Sequence, residues 1–188
     1  MAENHIEDDD RDLVYRSYYG DKEAFGRLYE KYLLDIYRYI YYRVANEFDS
    51  EDLTEAVFLQ AWEALPRVEL RGFRFKPWIY KIAHNKVIDE YRTTHVQVPI
   101  ENQDLRIDPE MGPEASYQNN EANQQLAKAI SKLDPTLQDV IIYRFILGLN
   151  HEETAEIMNR SKINIRVLQF RALGKLREWY QEEEQFNG

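Results

Sequence analysis

The chain has 188 residues, 44% of them hydrophobic and 31% charged, with a formal charge of −10, a balance that supports buried cores and excludes a chain disordered throughout. It contains no cysteine, which excludes disulfides, thiolate metal sites and cysteine nucleophiles, and its seven Gly and six Pro are few for a turn-rich all-β fold. The acidic first ten residues lack the pattern of an export signal, and no apolar run approaches the roughly 20 residues needed to cross a bilayer, so the expectation is an all-α protein of the cytoplasm without membrane insertion.

The first regular element is expected at Asp21, an N-cap followed by an acid in the first turn. Phe25, Leu28, Tyr29, Tyr32, Leu33, Ile36, Tyr37 and Ile40 then recur at spacings of three and four, the signature of a long amphipathic helix. A second helix starts near Asp49, carries Leu53, Val57, Ala61 and Leu65 on one side and stops at Pro66. After a loop to about Lys76, Pro77 suits a first helical position, and Trp78, Ile79, Ile82, Val87 and Tyr91 continue with helical period to about Arg92.

Between Val96 and Asn120 this periodicity disappears. Pro99, Pro109, Gly112 and Pro113 interrupt a polar, acidic stretch that reads as a flexible linker. A helix is expected from about Glu121 with Leu126, Ile130 and Leu133 on one side, then another opened by Asp134 and Pro135 and closed by Gly148 at the position after its end. Asn150 caps a short helix through Met158, a tight turn follows, and Ile165, Leu168, Ala172, Leu173 and Leu176 line the inside of a last helix. A helix, a short turn and a second helix in this order make a helix-turn-helix. The expected organisation is an acidic extension over 1–20, a helical domain over 21–95, a linker over 96–120, a helix-turn-helix domain over 121–180 and a tail over 181–188.

Charge is distributed unevenly. Glu3 to Asp12 and Glu101 to Glu121 each hold six acids against one Arg, whereas Arg71 to Arg92 holds six Lys and Arg against two acids and Arg160 to Arg177 holds six and no acid. Two basic segments inside an acidic chain allow local contact with nucleic acid while discouraging unspecific binding. In the second segment Lys162, Asn164, Arg166, Gln169, Phe170 and Arg171 lie on or beside the face opposite the core stripe. Arg can pair with guanine in the major groove and Asn or Gln with adenine, and small Ala155 lets the two helices cross closely. In the first segment Arg71, Phe73, Arg74, Phe75, Lys76, Lys81 and Asn85 mix cations with aromatic rings, a composition that suits single-stranded DNA. Trp78 is expected in the core; Phe73 and Phe75 fit either the core or base stacking.

These blocks together resemble the extracytoplasmic-function (ECF) sigma factors of bacterial RNA polymerase, over about residues 21 to 95 and 121 to 178. The resemblance is carried by Ser50-Glu-Asp-Leu-Thr-Glu-Ala-Val-Phe-Leu-Gln-Ala-Trp62, by Lys76 to Arg92, by Leu133-Asp-Pro135 and by the helix-turn-helix. It implies a sigma region 2 bundle and a sigma region 4 helix-turn-helix joined by the linker, and promoter-specific initiation without catalysis or cofactors. Core RNA polymerase would be held through its β′ clamp helices and β flap, with Asp52, Leu53, Glu55 and Phe58 on the clamp. The first basic segment, with Asn85 the best single match, would capture the minus-ten element. Arg166, Phe170 and Arg171 would read the minus-thirty-five element. The linker would thread the polymerase near its RNA exit path, and an anti-sigma protein would be a further partner.

The chain departs from the family pattern at three places, one of them Val167-Leu168-Gln169 where Ser-Arg-Leu is commoner. Glu55-Ala56 stands where Gln-Glu is usual, and Ile163 stands at a usual Gly, so the recognition turn must form without a positive φ there. His151, Glu152, Glu153 and Glu156 read as a polar helix start in place of a metal cluster, and no phosphate loop or nucleophile elbow occurs. The competing readings are a stand-alone helix-turn-helix regulator binding duplex DNA as a dimer, and a protein-interaction module.

Overall fold

The computed structural model describes the backbone of residues 3–96 and 117–186 and the side chains of residues 10–92 and 121–181. The fold is all-α, with no strand among the described residues. Among the described residues eight α-helices follow one another: α1 (Glu3–Tyr18), α2 (Lys22–Val44), α3 (Glu47–Ala64), α4 (Phe75–Val96), α5 (Tyr117–Ser131), α6 (Pro135–Ile141), α7 (His151–Ile157) and α8 (Lys162–Phe186). Most of the expected linker falls outside the described residues.

Helix α2 begins where its sequence says. Asp21 accepts from the N–H groups of Glu23 (3.0 Å) and Ala24 (3.1 Å), and Arg16 donates two further bonds to its second oxygen at 2.9 and 2.7 Å. The inner stripe Ala24, Leu28, Tyr32, Ile36, Tyr39, Ile40 and Arg43 is buried at helical spacing. Val57, Phe58 and Ala61 of α3 and Phe75, Ile79, Ala83 and Val87 of α4 close over it. Each fully buried Leu, Ile or Phe of this bundle contributes about 1.5 to 3 kcal/mol. Left-handed Ala45 (φ 55°) ends α2, and Asn46 caps α3 three residues earlier than expected, accepting from Asp49 N at 3.1 Å. Pro77 lies in the third position of α4, not the first.

Residues 1–20 were expected as an acidic extension; from Glu3 to Tyr18 they form a helix packed on α2. Leu13 and Val14 are buried, and Asp10 accepts from Lys31 at 2.6 Å and from the Tyr32 hydroxyl. Two adjacent apolar residues are too short a pattern to announce a helix, and the pairing that anchors it is made with residues twenty positions away.

The second half keeps the expected helix boundaries. Asp134 and Pro135 start α6, though the Asp134 carboxylate makes no capping bond and pairs with Lys175 at 2.6 Å; residues Ile142–Ile146 widen into a π turn, and Gly148 takes φ +66° just beyond its end. Asn150 caps α7 in a capping box: its side chain accepts from Glu153 N at 2.9 Å while Glu153 accepts from Asn150 N at 2.8 Å. Asn150→Ala is expected to lower the stability of this half by about 0.5 to 2 kcal/mol, with Asn150→Ser near wild type; thermal unfolding measures both. Helix α8 runs on to Phe186, through most of the expected tail.

The sequence suggests two bundles free to move on a tether, but in the structure they are packed together. Helix α5 lies along α2, and α7 lies against α4. At the seam Arg43 pairs with Asp139, which also accepts from the Tyr39 hydroxyl at 2.8 Å and lies 3.3 Å from His84 Nδ1. Tyr143 stacks on Tyr39 at 5.2 Å and meets Tyr80 edge-on at 5.5 Å. Burial drives the Tyr39 and Tyr143 hydroxyls far above their ordinary pKa, so both remain neutral.

Candidate nucleic-acid interface

The helix-turn-helix consists of α7, a four-residue turn and α8. Ala155 of α7, Val140 of α6 and Ile165 of α8 meet in one small apolar cluster, so a short side chain at 155 sets how closely the helices cross. The turn takes its positive φ at Asn159 (50°), and Ile163 sits inside α8, which is how the chain does without a glycine there. Ile165 and Ala172 are buried and Leu168 and Leu176 half-buried, as expected of the inward stripe, whereas Leu173, expected beside them, is exposed, one residue past the buried line.

This stripe turns the cations outward. Lys162, Asn164, Arg166 and Arg171 are exposed, and Phe170 is 80% exposed. Gln169 is half-buried and accepts from Arg144 Nε at 3.1 Å, while Lys162 is paired with Glu152. Arg144 also donates to the Leu149 carbonyl, which ties the start of α7 to α6 and orients Gln169. Exposed Ile163 and Val167, two of the departures from the family pattern, share the outer surface with Phe170. Loss of water contact and the guanidiniums of Arg144 and Arg166 lower the His151 pKa below the ordinary histidine range, which favours the uncharged ring at neutral pH.

The first basic segment divides by burial. Arg71, Arg74, Lys81 and Asn85 are exposed and Lys76 is half-buried. Phe73 is half-buried with its ring edge-on to Trp78 at 5.2 Å. Phe75 is 2% exposed, packed against Tyr32 at 5.4 Å and Trp78 at 5.8 Å, so it belongs to the core and offers no face to a base. A cleft of about 760 Å³ runs between this segment and the second half, bordered by Phe73, Arg74, Lys81 and Asn85 on one side and Asp139 and Arg160 on the other. Arg74 reaches Glu156 and Lys76 reaches Glu153, both at 2.5 Å.

On the opposite side, Asp52 and Glu55 are exposed on α3, Leu53 is half-buried and Phe58 is buried against Tyr29. Of the four expected polymerase contacts, Phe58 therefore holds the helix in place from beneath. The sequence reading missed that Asp49 from α3 and Asp89 and Glu90 from α4 join Asp52 around Leu53 and Ala56 in a shallow, mainly acidic groove, which Lys86 also lines. Partial loss of water contact, and to a lesser extent the charges of Glu90 and Asp52, raise the Asp49 pKa above the usual carboxylate value. Among the described residues no cluster of metal-ligating side chains occurs, and no helix is long and apolar enough to cross a membrane.

Two family descriptions match: Sigma-70 region 2 over residues 28–95 and Sigma-70, region 4 over residues 129–178. The chain is 35% identical over 88% of its length to the ECF RNA polymerase sigma factor BldN of Streptomyces coelicolor, spanning 63% of that relative. It is 30% identical over 88% of its length to the ECF RNA polymerase sigma factor ShbA of Streptomyces griseus, spanning 92% of it. The solved structure of CnrH in complex with the cytosolic domain of CnrY superposes with a TM-score of 0.72 at 23% identity, over 93% of this chain and 98% of that one, and so shares the fold. With region 2 and region 4 in order, a last helix that turns its cations outward and 92% of ShbA spanned at 30% identity, this chain belongs to the ECF sigma factors of RNA polymerase.

Proposed function

We propose that the chain initiates transcription by holding core RNA polymerase through the acidic groove of α3 and α4, the minus-thirty-five element through α8, and the minus-ten element through the start of α4. The observation that carries this reading is the outward set Arg166, Phe170 and Arg171 on a helix whose inner stripe is fully occupied by core. A helix presented in this way enters the major groove with its first turns against base edges. The minus-ten set is Arg71, Phe73, Arg74, Lys76, Lys81 and Asn85, with Phe75 and Trp78 supporting them from within. Asp52, Leu53 and Glu55 face the clamp helices, where the acidic groove complements a basic partner. The role is that of a specificity factor, and no arrangement for bond-breaking chemistry is invoked.

CnrH has been solved with the cytosolic domain of a second protein; this chain is proposed to be silenced by a comparable anti-sigma partner. The stand-alone regulator reading gains no support, because region 2 is matched over residues 28–95 as well as region 4 over residues 129–178, and the acidic groove would have no task in it.

Gel filtration of the full chain mixed with purified core RNA polymerase tests the first contact. Co-elution is expected, and Asp52→Ala should weaken it roughly tenfold, about 1 to 2 kcal/mol, while leaving the unfolding temperature unchanged. Failure of the wild-type chain to co-elute would overturn the reading.

A further inference from the structure

Helix α8 packs on α6 and α7 through the stripe of Ile165, Leu168, Ala172 and Leu176, and an α-helix turns through about 100° per residue. The line directly opposite that stripe therefore passes through Ile163, Val167 and Phe170, spaced four and three apart. Their side chains are 73%, 44% and 80% exposed. A single apolar side chain in water needs no explanation, but three aligned on the crest of one helix form a contact surface. Arg166 flanks the crest on one side and Asn164 and Arg171 on the other, and no acid occurs from Arg160 to Arg177. A protein covering the crest would have to take both guanidiniums out of water as well, whereas a duplex meets them with phosphates and base acceptors.

The crest begins where base edges lie. The Ser161 hydroxyl accepts from Asn164 N at 3.2 Å and the Ser161 carbonyl from Ile165 N at 3.1 Å, so α8 is regular from its first turn and Ile163 projects from that turn. In a docked helix-turn-helix the first turns of the second helix enter the major groove. There thymine is the base that presents a methyl group, and apolar side chains are what contact it. The structure also withdraws a different means of reading an A·T pair. Gln169, expected to address adenine, is half-buried beside the core stripe with its amide oxygen engaged by Arg144 Nε at 3.1 Å. A bidentate clamp on adenine needs that oxygen and the amide nitrogen together.

We propose that Ile163 and Val167 are specificity-determining residues of α8, each packing against the C5-methyl group of a thymine in the major groove, with Phe170 extending the contact one turn further. The glycine and serine that are usual at positions 163 and 167 offer little apolar surface, so thymine recognition on this crest is a property of this chain and not of the family pattern. Each contact removes the methyl and the facing side chain from water together, which favours thymine over any pyrimidine without the methyl. Arg166 and Arg171 act on either side of the crest, on guanine edges or phosphates. The inference rests on the proposed role of α8 at the minus-thirty-five element.

Holoenzyme reconstituted from the full chain and purified core RNA polymerase is used to select from randomised duplexes, and the enriched upstream element is remade with deoxyuridine in place of each thymine in turn. Deoxyuridine keeps base pairing and every hydrogen-bonding group and lacks only the methyl. Wild-type holoenzyme is expected to lose about fourfold in affinity at two or three thymines, the value of one buried methyl. Ile163→Ser and Val167→Ser should each abolish the loss at one of those thymines, binding thymine and deoxyuridine alike there, with the unfolding temperature within a degree or two of wild type. An enriched element whose thymines all tolerate deoxyuridine, or a loss that persists in both variants, overturns the inference and leaves the initiation reading standing. Enrichment of no sequence sinks the initiation reading and this inference with it. Tolerance of deoxyuridine together with a wild-type dimer in sedimentation that Val167→Ser dissolves would assign the crest to a second copy of the chain and overturn the DNA contact.

Discussion

Phe75→Ala is expected to destabilise the first half by about 3 to 5 kcal/mol, the loss typical of a buried aromatic ring and the cavity it leaves. Phe75 opens α4, is 2% exposed and touches Tyr32 and Trp78, so its removal loosens the joint between α2 and the basic segment. Denaturant unfolding of the full chain measures the loss. Phe73→Ala makes the contrast, because its ring is half-buried at the edge of the core and lies edge-on to Trp78. It should cost clearly less stability and more oligonucleotide binding. Equal stability losses at both positions would remove the distinction between a supporting ring and a stacking ring.

Arg171→Ala is expected to cost about 1 to 3 kcal/mol of promoter binding by the holoenzyme, a five- to 150-fold loss, concentrated at one base pair of the minus-thirty-five element. Arg171 is exposed on α8 and lies outside the core stripe of Ile165 and Ala172, so the unfolding temperature should stay within a degree or two of wild type. Competition binding across promoters with single base changes separates base reading from phosphate contact. A uniform loss across all sequences, with a reduced salt dependence, would assign Arg171 to the phosphate backbone.

The fold was legible wherever local chemistry decides it. Asp21, Asn150, Gly148 and the three- and four-residue spacing of α2 each act within one or two turns, and each stands as the sequence implies. The outward face of α8 was legible for the same reason, since the inner stripe of one helix fixes its outer one. What escaped depends on partners distant in the chain. Helix α1 is held by Lys31 and Tyr32, the acidic groove needs α3 beside α4, and Asp139 meets Tyr39 across a hundred residues. Arg43 did carry a signal, a cation four residues after Tyr39 on the buried side of α2, and such a residue must meet a carboxylate when it is covered. Phe58 and Phe75 show the opposite limit, because family position identifies a segment as functional without saying which of its side chains face outward.

Run-off transcription with purified core RNA polymerase and fragments of the source genome tests the assignment most directly. Transcripts from discrete start sites are expected only when both proteins are present, with losses for Arg171→Ala and Asp52→Ala that the folded state of neither variant explains. No transcript from any fragment, together with tight binding of a palindromic duplex by the chain alone, would contradict it.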